Sequence, residues 1–434
     1  MKKPKVSIIL PSLNVFDYIA ECMDSVMHQT LQDIEIICVD AGSTDGTQNI
    51  LRECERADER IRVIVSDKKS YGYQMNLGMR ASRGEYIGIV ETDDLVSSEM
   101  YEELYVVAKK NDADFVKADF FQLTGSGSEV KLTMVPLTAK ESYYDRMINI
   151  EEEPECLSFN MVTWSGIYKK SFLIENEIRY NETPGASYQD NGFWFQTFMY
   201  AKRALFTHKP YYMLRRDNPA SSIYDKKKIF CISEEYRFIL DILLKNKKKF
   251  ESFKYYYAYY CYQSYIWNLM RIDQADQKYF LMIFSKDMQK LSGLGMLNRD
   301  FYTEKSWNNI ASIISNPIEW YENNIGLREK ALDAICAYET IIIYGAGMVG
   351  KKLFRQLEMR GKRDDILCFA VSKISDPAAE YAGISIKDIE SLAMDHREDA
   401  VVVVAVNDMY QNEMADYARH LKFKNIKIMP VTDL

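Results

Sequence analysis

Short apolar runs alternate with amphipathic segments over the first ninety residues: VSIIL, a helical period over roughly 17–29, IEIICVD, a helix near 47–57, IRVIVS, a helix near 73–82, and EYIGIVE. Short apolar runs separated by stretches of 3.6-residue period read as buried strands and covering helices. The rhythm predicts a mostly parallel sheet with helices on its faces, and in such sheets ligands sit beyond the carboxyl ends of the strands. From about 225 to 335 the texture changes to long aromatic-rich helical patterns, EEYRFILDILL and YYYAYYCYQSYIWNLM, with Phe238, Ile239, Ile242 and Leu243 on one helix face. The tyrosines from Tyr255 to Tyr265 read as interlayer core, with stacking on acceptor sugars as the alternative. Strand and helix then alternate again through TIIIYGAG, a helix over roughly 348–360, ILCFAV and AVVVVAV. The expected organisation is an α/β domain over 1–224, a helical region over 225–335 and a small Rossmann-like α/β domain over 336–434.

Composition narrows the function classes. With 434 residues, 47% of them hydrophobic and 27% charged, the chain is long enough for two or three domains and lacks the bias of disordered or fibrous proteins. A net charge of −8 argues against a nucleic-acid partner, which needs a surplus of Lys and Arg on one face. The lysine runs 226–228 and 247–249, with Lys245 and Lys254 nearby, read as a solvated face, contact with anionic lipid headgroups or a lipid diphosphate being the alternative. Eight scattered cysteines without a C-x-x-C pair read as reduced thiols. MKKPKVSIILPS has too short an apolar run for a secretory signal, and no run approaches the ~18 apolar residues of a membrane helix. The expected location is the cytoplasm; peripheral contact with the inner face of the membrane and homo-oligomerisation are both allowed.

Three candidate sites fall at predicted strand ends. The first combines the exit of the first strand, with Pro11 and Asn14, and that of the second, CVDAGSTDGT. There Asp40 can accept from an N–H of a nucleotide base while Gly42 lets the backbone approach; an Asx turn capping the next helix is the plainer alternative. The second is YGYQMNLGMRASRGEY, where Asn76 and Gly78 can face a bound diphosphate and Arg80 or Arg83 can add charge, unless the helix is simply amphipathic. In the third, IGIVETDDLV, an apolar strand runs into Glu91, Asp93 and Asp94. Three acids at one edge repel one another unless hydrogen-bond donors or a cation offset them, and Mg²⁺ or Mn²⁺ bridging the phosphates of a nucleotide would do so. The alternative is an acidic cap for a helix starting near Ser97.

VSIILPSLN, CVDAGSTDGT and IVETDD, in this order and spacing, resemble the family 2 glycosyltransferases of GT-A fold over roughly residues 4–222. The resemblance implies an inverting transfer from a nucleotide-sugar donor to an acceptor hydroxyl, with Asp40 on the base, Glu91 on the ribose side, Asp93 on a divalent metal, and Pro11, Asn14 and Asn76 also on the donor side. Two positions depart from the family pattern: Ala41 stands where a second acid is usual, and Glu91-Thr92-Asp93 replaces Asp-x-Asp. SYQDNGFWFQTFM resembles the family's Glu-Asp motif, with Gln189 in the Glu position and Asp190 matching the general base; from the residues alone it could equally be a helix cap. YYMLRRDNPASS places Arg215, Arg216 and Ser221 in a loop that in relatives closes over the diphosphate, and Trp164 falls where relatives line the acceptor side; a plain surface loop and an ordinary buried Trp are the alternatives. The implied setting is surface polysaccharide or glycan assembly on a glycan or lipid-linked acceptor.

Two rival functions fit less well. A sugar nucleotidyltransferase needs a Gly-rich basic loop after the first strand, and PSLNVFDY has neither glycines nor basic residues. A non-catalytic sugar-binding or scaffold protein has no need of Asp93 and Asp190. Near the C-terminus, Gly345, Gly347 and Gly350 form G-x-G-x-x-G between a strand and a helix, but ILCFAVSK ends in Ser372 and Lys373 where a dinucleotide site carries an acid. A structural or assembly role is expected there, ahead of another nucleotide or sugar ligand or a nicotinamide cofactor.

Overall fold

The computed structural model describes residues 3–125, 130–218 and 228–430, apart from 375 and 377. The chain divides into two compact units, Met1–Thr303 and Glu304–Leu434. That division falls inside the stretch expected as a separate helical region.

The first unit runs β1 (Val6–Ser12), α1 (Phe16–Met27), β2 (Ile34–Asp40), α2 (Thr47–Ala57), β3 (Ile61–Val65), α3 (Tyr71–Ala81), β4 (Tyr86–Ile89), β5 (Leu95–Val96) and α4 (Met100–Lys110). It continues through β6 (Phe115–Thr124), β7 (Lys131–Val135), β8 (Met147–Ile148), β9 (Gly166–Lys169), α5 (Lys170–Glu175), α6 (Gln189–Tyr200) and β10 (Ala204–Arg215). Three longer helices follow, α7 (Cys231–Leu244), α8 (Lys247–Arg271) and α9 (Gln274–Gly293). The sheet order is β3-β2-β1-β4-β9-β6-β10-β5, with β7 beside β6 and β8 beside β10. Strands β3, β2, β1 and β4 are parallel, as their alternation with helices requires, and every residue of β1 and β2 is buried. Beyond β4 the sheet is mixed: β9 runs antiparallel to both β4 and β6. Irregular chain and short turns, with no long helix, lead into β9, and an antiparallel neighbour needs no helical crossover.

The aromatic stretch of α8 is core on one face only, with Tyr255, Tyr256, Tyr259 and Tyr260 half-buried. Tyr257, Tyr262 and Tyr265 are at most 3% exposed and pack edge-on or tilted against Tyr236, Phe280 and Phe284. The lysine run that opens α8 is engaged: the ammonium groups of Lys248 and Lys249 lie 2.7 and 2.9 Å from the carboxylate of Glu151. Lys226, Lys227 and Ser221 lie outside the described residues.

In the second unit α10 (Glu304–Ser315), α11 (Pro317–Tyr321) and α12 (Leu327–Cys336) precede β11 (Ile341–Tyr344), α13 (Met348–Met359), β12 (Ile366–Val371), β13 (Glu380–Tyr381) and β14 (Ile384–Asp388). The unit ends with α14 (Ile389–Leu392), β15 (Val401–Val404), α15 (Asp408–His420) and β16 (Asn425–Ile428). The sheet order is β13-β14-β12-β11-β15-β16, all parallel except β13. Alternate residues of β11 feed two cores: Ile341 and Ile343 pack with Leu353 and Phe354 of α13, Ile342 and Tyr344 with Ile389 and Ala415 of α14 and α15. All eight cysteines are free. Among the described residues no helix is long and apolar enough to cross a membrane.

Candidate active site

A cavity of about 370 Å³ opens at the carboxyl ends of β1 and β4. Pro11 and Ser12 line it from β1, Glu91 to Asp94 from the turn after β4, and Arg215, Arg216 and Asn218 from the end of β10. Trp164 and the segment from Gly185 to Asp190 complete the opposite side.

The three acids after β4 have different environments. Asp94 is 1% exposed and held by donors, its Oδ2 accepting from the Tyr212 hydroxyl at 2.7 Å and its Oδ1 from the Arg215 N–H at 2.7 Å. Burial, with Asp93 beside it, still pushes its pKa well up. Asp94 therefore braces the turn. Glu91 is half-buried and accepts from the Tyr71 hydroxyl at 2.5 Å. Burial, reinforced by Asp93 and Asp190, raises its pKa to about 8 against the lowering effect of Tyr71. Asp93 accepts from Asn218 Nδ2 at 2.8 Å, and its main-chain carbonyl accepts from Arg215 Nε at 3.0 Å. Among the described residues no three His, Cys, Asp or Glu side chains group as a metal-ligand set. Glu91 and Asp93 nevertheless supply hard oxygen donors at the cavity wall, which fits a cation such as Mg²⁺ that keeps few protein ligands and completes its shell with phosphate and water.

Several expected donor contacts are engaged inside the protein. Asp40 is 0% exposed and takes the Asx-turn alternative: its Oδ2 accepts from the N–H groups of Gly42 and Ser43, both at 2.9 Å, and from Gln48 Nε2 at 2.5 Å. The hydroxyls of Ser43 and Ser12 occupy Oδ1. A carboxylate so fully donated to anchors the loop after β2. Asn14, exposed and at φ 53°, ties the exit of β1 to the same loop through Ser43 and Thr44. Asn76 is 5% exposed and pairs with the backbone of Tyr180 and the carboxylate of Glu182, which turns it away from the cavity. Arg80 and Arg83 face Glu182 and the buried Glu35, at 3.9 and 2.9 Å. A Cβ on Gly78 would lie 2.6 Å from Cγ2 of Ile9, so this glycine lets α3 close onto β1.

On the opposite wall Asp190 sits in the first turn of α6, not at its cap; the capping position is Tyr188, held at φ 64°. Gln189, matching the family's Glu, is 1% exposed and donates to the carbonyls of Thr183 and Gly185, shaping the loop that leads to Asp190. Asp190 Oδ1 accepts from the Asn191 N–H at 3.1 Å, and desolvation raises the carboxyl's pKa. Phe193 and Trp194, which follow Asp190 on α6, are fully buried core residues outside the lining, whereas Tyr188 lines the cavity. Trp164 is both core and wall: 8% exposed, stacked on Tyr212 at 4.1 Å, and part of the lining. Arg215 is clamped between Glu21, at 2.7 Å, and the ring of Tyr18, while Arg216 is exposed. Tyr71, Tyr212 and Asn218 complete the acidic wall without having stood out in the sequence. Their hydrogen bonds reach residues 20 to 125 positions away, so no local spacing marks them.

The glycosyl transferase family 2 model matches residues 7–172, the stretch that builds β1 to β9 and the acidic turn. The chain carries a family 2 glycosyl transferase domain. It is 33% identical over 230 residues to the uncharacterized glycosyltransferase EpsJ of Bacillus subtilis (strain 168), covering 50% of this chain and 62% of that protein. It is 29% identical over 225 residues to the poly(ribitol-phosphate) beta-glucosyltransferase of Bacillus spizizenii, covering 50% of this chain and 34% of that protein. The chain thus spans less than two thirds of the length of either relative. The crystal structure of S. aureus TarS 1-349 in complex with UDP-GlcNAc matches 73% of this chain and 89% of that chain, with a TM-score of 0.57 and 17% identity. That likeness extends the GT-A fold beyond the family 2 domain.

In the second unit the glycine loop is tight. Gly345 has φ +127°, and a Cβ on Gly350 would lie 1.8 Å from the Gly345 carbonyl oxygen, so α13 starts pressed against the loop. At the end of β12 the Ser372 hydroxyl is within 2.6 Å of the Tyr344 hydroxyl.

Proposed function

We propose that this protein transfers a sugar, with inversion at the anomeric carbon, from a nucleoside diphosphate donor to an acceptor hydroxyl in the assembly of a bacterial surface polysaccharide or other glycan. The observation that carries this reading is the presence of acids on two walls of one cavity, Glu91 and Asp93 after β4 and Asp190 at the start of α6. Inversion needs a base for the attacking oxygen on one side of the anomeric carbon and stabilisation of the departing diphosphate on the other. Asp190 serves as the base. It accepts the acceptor's proton as the new C–O bond forms, and desolvation makes it a stronger base than an exposed carboxylate. As the bond from the anomeric carbon to the phosphate oxygen breaks, its electron pair leaves with the diphosphate. Arg216 and Asn218, which line the cavity on the Asp93 side, would meet that charge. Asp93 would hold Mg²⁺ or Mn²⁺, which when bound would offset charge on the leaving diphosphate.

The test is a panel of nucleotide-sugars, UDP-GlcNAc among them, offered to the purified protein with Mn²⁺. One donor should raise the melting temperature and release nucleoside diphosphate slowly without acceptor. A protein neither stabilised nor turning over any of the panel contradicts the proposal.

A further inference from the structure

Next to the proposed base, one residue of the cavity wall is held by α8, outside the stretch that matches family 2. Tyr188 lines the cavity two residues before Asp190. Its hydroxyl donates to Asn268 Oδ1 at 3.1 Å, and its ring meets Trp267 edge to face, with centroids 6.0 Å apart and planes at 86°. Arg271 lies over both rings, 5.6 Å from the centroid of Tyr188 and 5.4 Å from that of Trp267, and donates to Asn268 Oδ1 at 3.0 Å. Asn268 is 0% exposed and donates to the Ile229 carbonyl at 3.0 Å. The two rings are therefore fixed at right angles by a buried amide and a guanidinium.

Of the five tryptophans Trp267 is the most exposed, at 44%. A rigid indole that leaves this much surface in water, joined through one tyrosine to the proposed base, needs a physical reason. Core packing does not supply one, since the neighbouring aromatics Tyr262 and Tyr265 are at most 3% exposed. The left-handed backbone of Tyr188 is uncommon for a residue with a side chain, and it persists only where the surroundings hold it.

We propose that Trp267, with Tyr188 and Arg271, is the platform on which a pyranose ring of the acceptor rests, so that α8 selects the acceptor for the base on α6. A pyranose carries C–H groups on one face and hydroxyls around its rim. The C–H face removes apolar surface from water by packing on an indole, and Arg271, bonded to Asn268 and to the Lys228 carbonyl, holds that indole in place. The inference rests on the proposed glycosyl transfer, because it places the platform next to Asp190.

The test separates the two ideas. Full-length protein labelled with 5-fluorotryptophan gives a fluorine signal for each tryptophan, with Trp267 assigned by its loss in Trp267→Phe. Titration with a panel of p-nitrophenyl pyranosides and oligosaccharides should shift the Trp267 signal while leaving that of Trp320, which is 3% exposed, in place. If the Trp267 signal stays still throughout, or moves with anionic lipid vesicles and not with sugars, the platform is wrong, whether or not the protein turns over a donor. With a sugar that serves as acceptor, Trp267→Ala should raise its KM about tenfold, Trp267→Phe should restore most of the loss, and donor hydrolysis without acceptor should be unchanged. Unchanged acceptor kinetics in Trp267→Ala would overturn the platform and leave the transferase standing.

Discussion

Asp94 and Asp190 line the same cavity with different partners. Asp94 is bonded to Tyr212 and to the backbone of Arg215, whereas the carboxylate of Asp190 accepts from the neighbouring Asn191 N–H. A base must be ionised to work, so activity is present above its pKa and lost as pH falls through it. Desolvation raises the pKa of Asp190, and the acid limb of the kcat profile should therefore lie above the ordinary aspartate range near 4. A kcat that stays flat down to that range would remove Asp190 from the role. Asp93 and Asp190 were legible as residues of the cavity because each stands beside motif partners in the sequence. The partners of Asp40 were not legible. Nothing in CVDAGSTDGT shows that Gly42, Ser43 and Gln48 all turn their donors onto it, since that depends on how the loop after β2 closes.

At the scale of elements, apolar runs marked β1 to β4 and the 3.6-residue period marked their helices, because each is buried against its sequence neighbours. β9 was not legible, since its antiparallel place between β4 and β6 is set by long-range packing. The start of α6 is likewise decided at a distance. A Cβ on Gly192 would lie 2.1 Å from Oε1 of Glu235, a residue of α7 that is 1% exposed. Gly192→Ala should cost about 1–3 kcal/mol in chemical denaturation through this overlap; unchanged stability would mean that α7 yields easily. The opening of α8 gives a second test. Three lysines in a first helical turn oppose the helix dipole, and Glu151 offsets them through hydrogen bonds from Lys248 and Lys249, which hold its pKa at about 2. A lowered carboxyl pKa stabilises above the unfolded value near 4.5, and the contribution disappears as pH falls from there towards 2. Glu151→Gln should therefore destabilise by about 1 kcal/mol at neutral pH, discounted for the exposed Lys248, and by almost nothing near pH 2. An equal loss at both pH values would make the contact steric.

The whole molecule joins a GT-A unit carrying the family 2 domain to a second unit with its own parallel sheet and two cores. The helices after β10 looked separable in sequence because their aromatic texture differs from that of the strands, yet α7 to α9 belong to the first unit. The second unit keeps a tight glycine loop, but Ser372 and Lys373 stand where a ribose-binding acid would be, and NADH should show no saturable binding in a fluorescence titration. Tight binding that is lost on replacing Gly347 with a bulky residue would contradict this. Whether one cavity divides its acids between a donor side and an acceptor side is decided by calorimetric affinity for the matched nucleoside diphosphate with Mn²⁺, set beside transfer rate, in Asp93→Asn and Asp190→Asn. Asp93→Asn should lose nucleotide affinity, whereas Asp190→Asn should bind as the unaltered protein does while turnover falls on the order of 10²-fold or more. Near-normal transfer by Asp190→Asn, or a loss of nucleotide binding as severe as that of Asp93→Asn, would contradict the account.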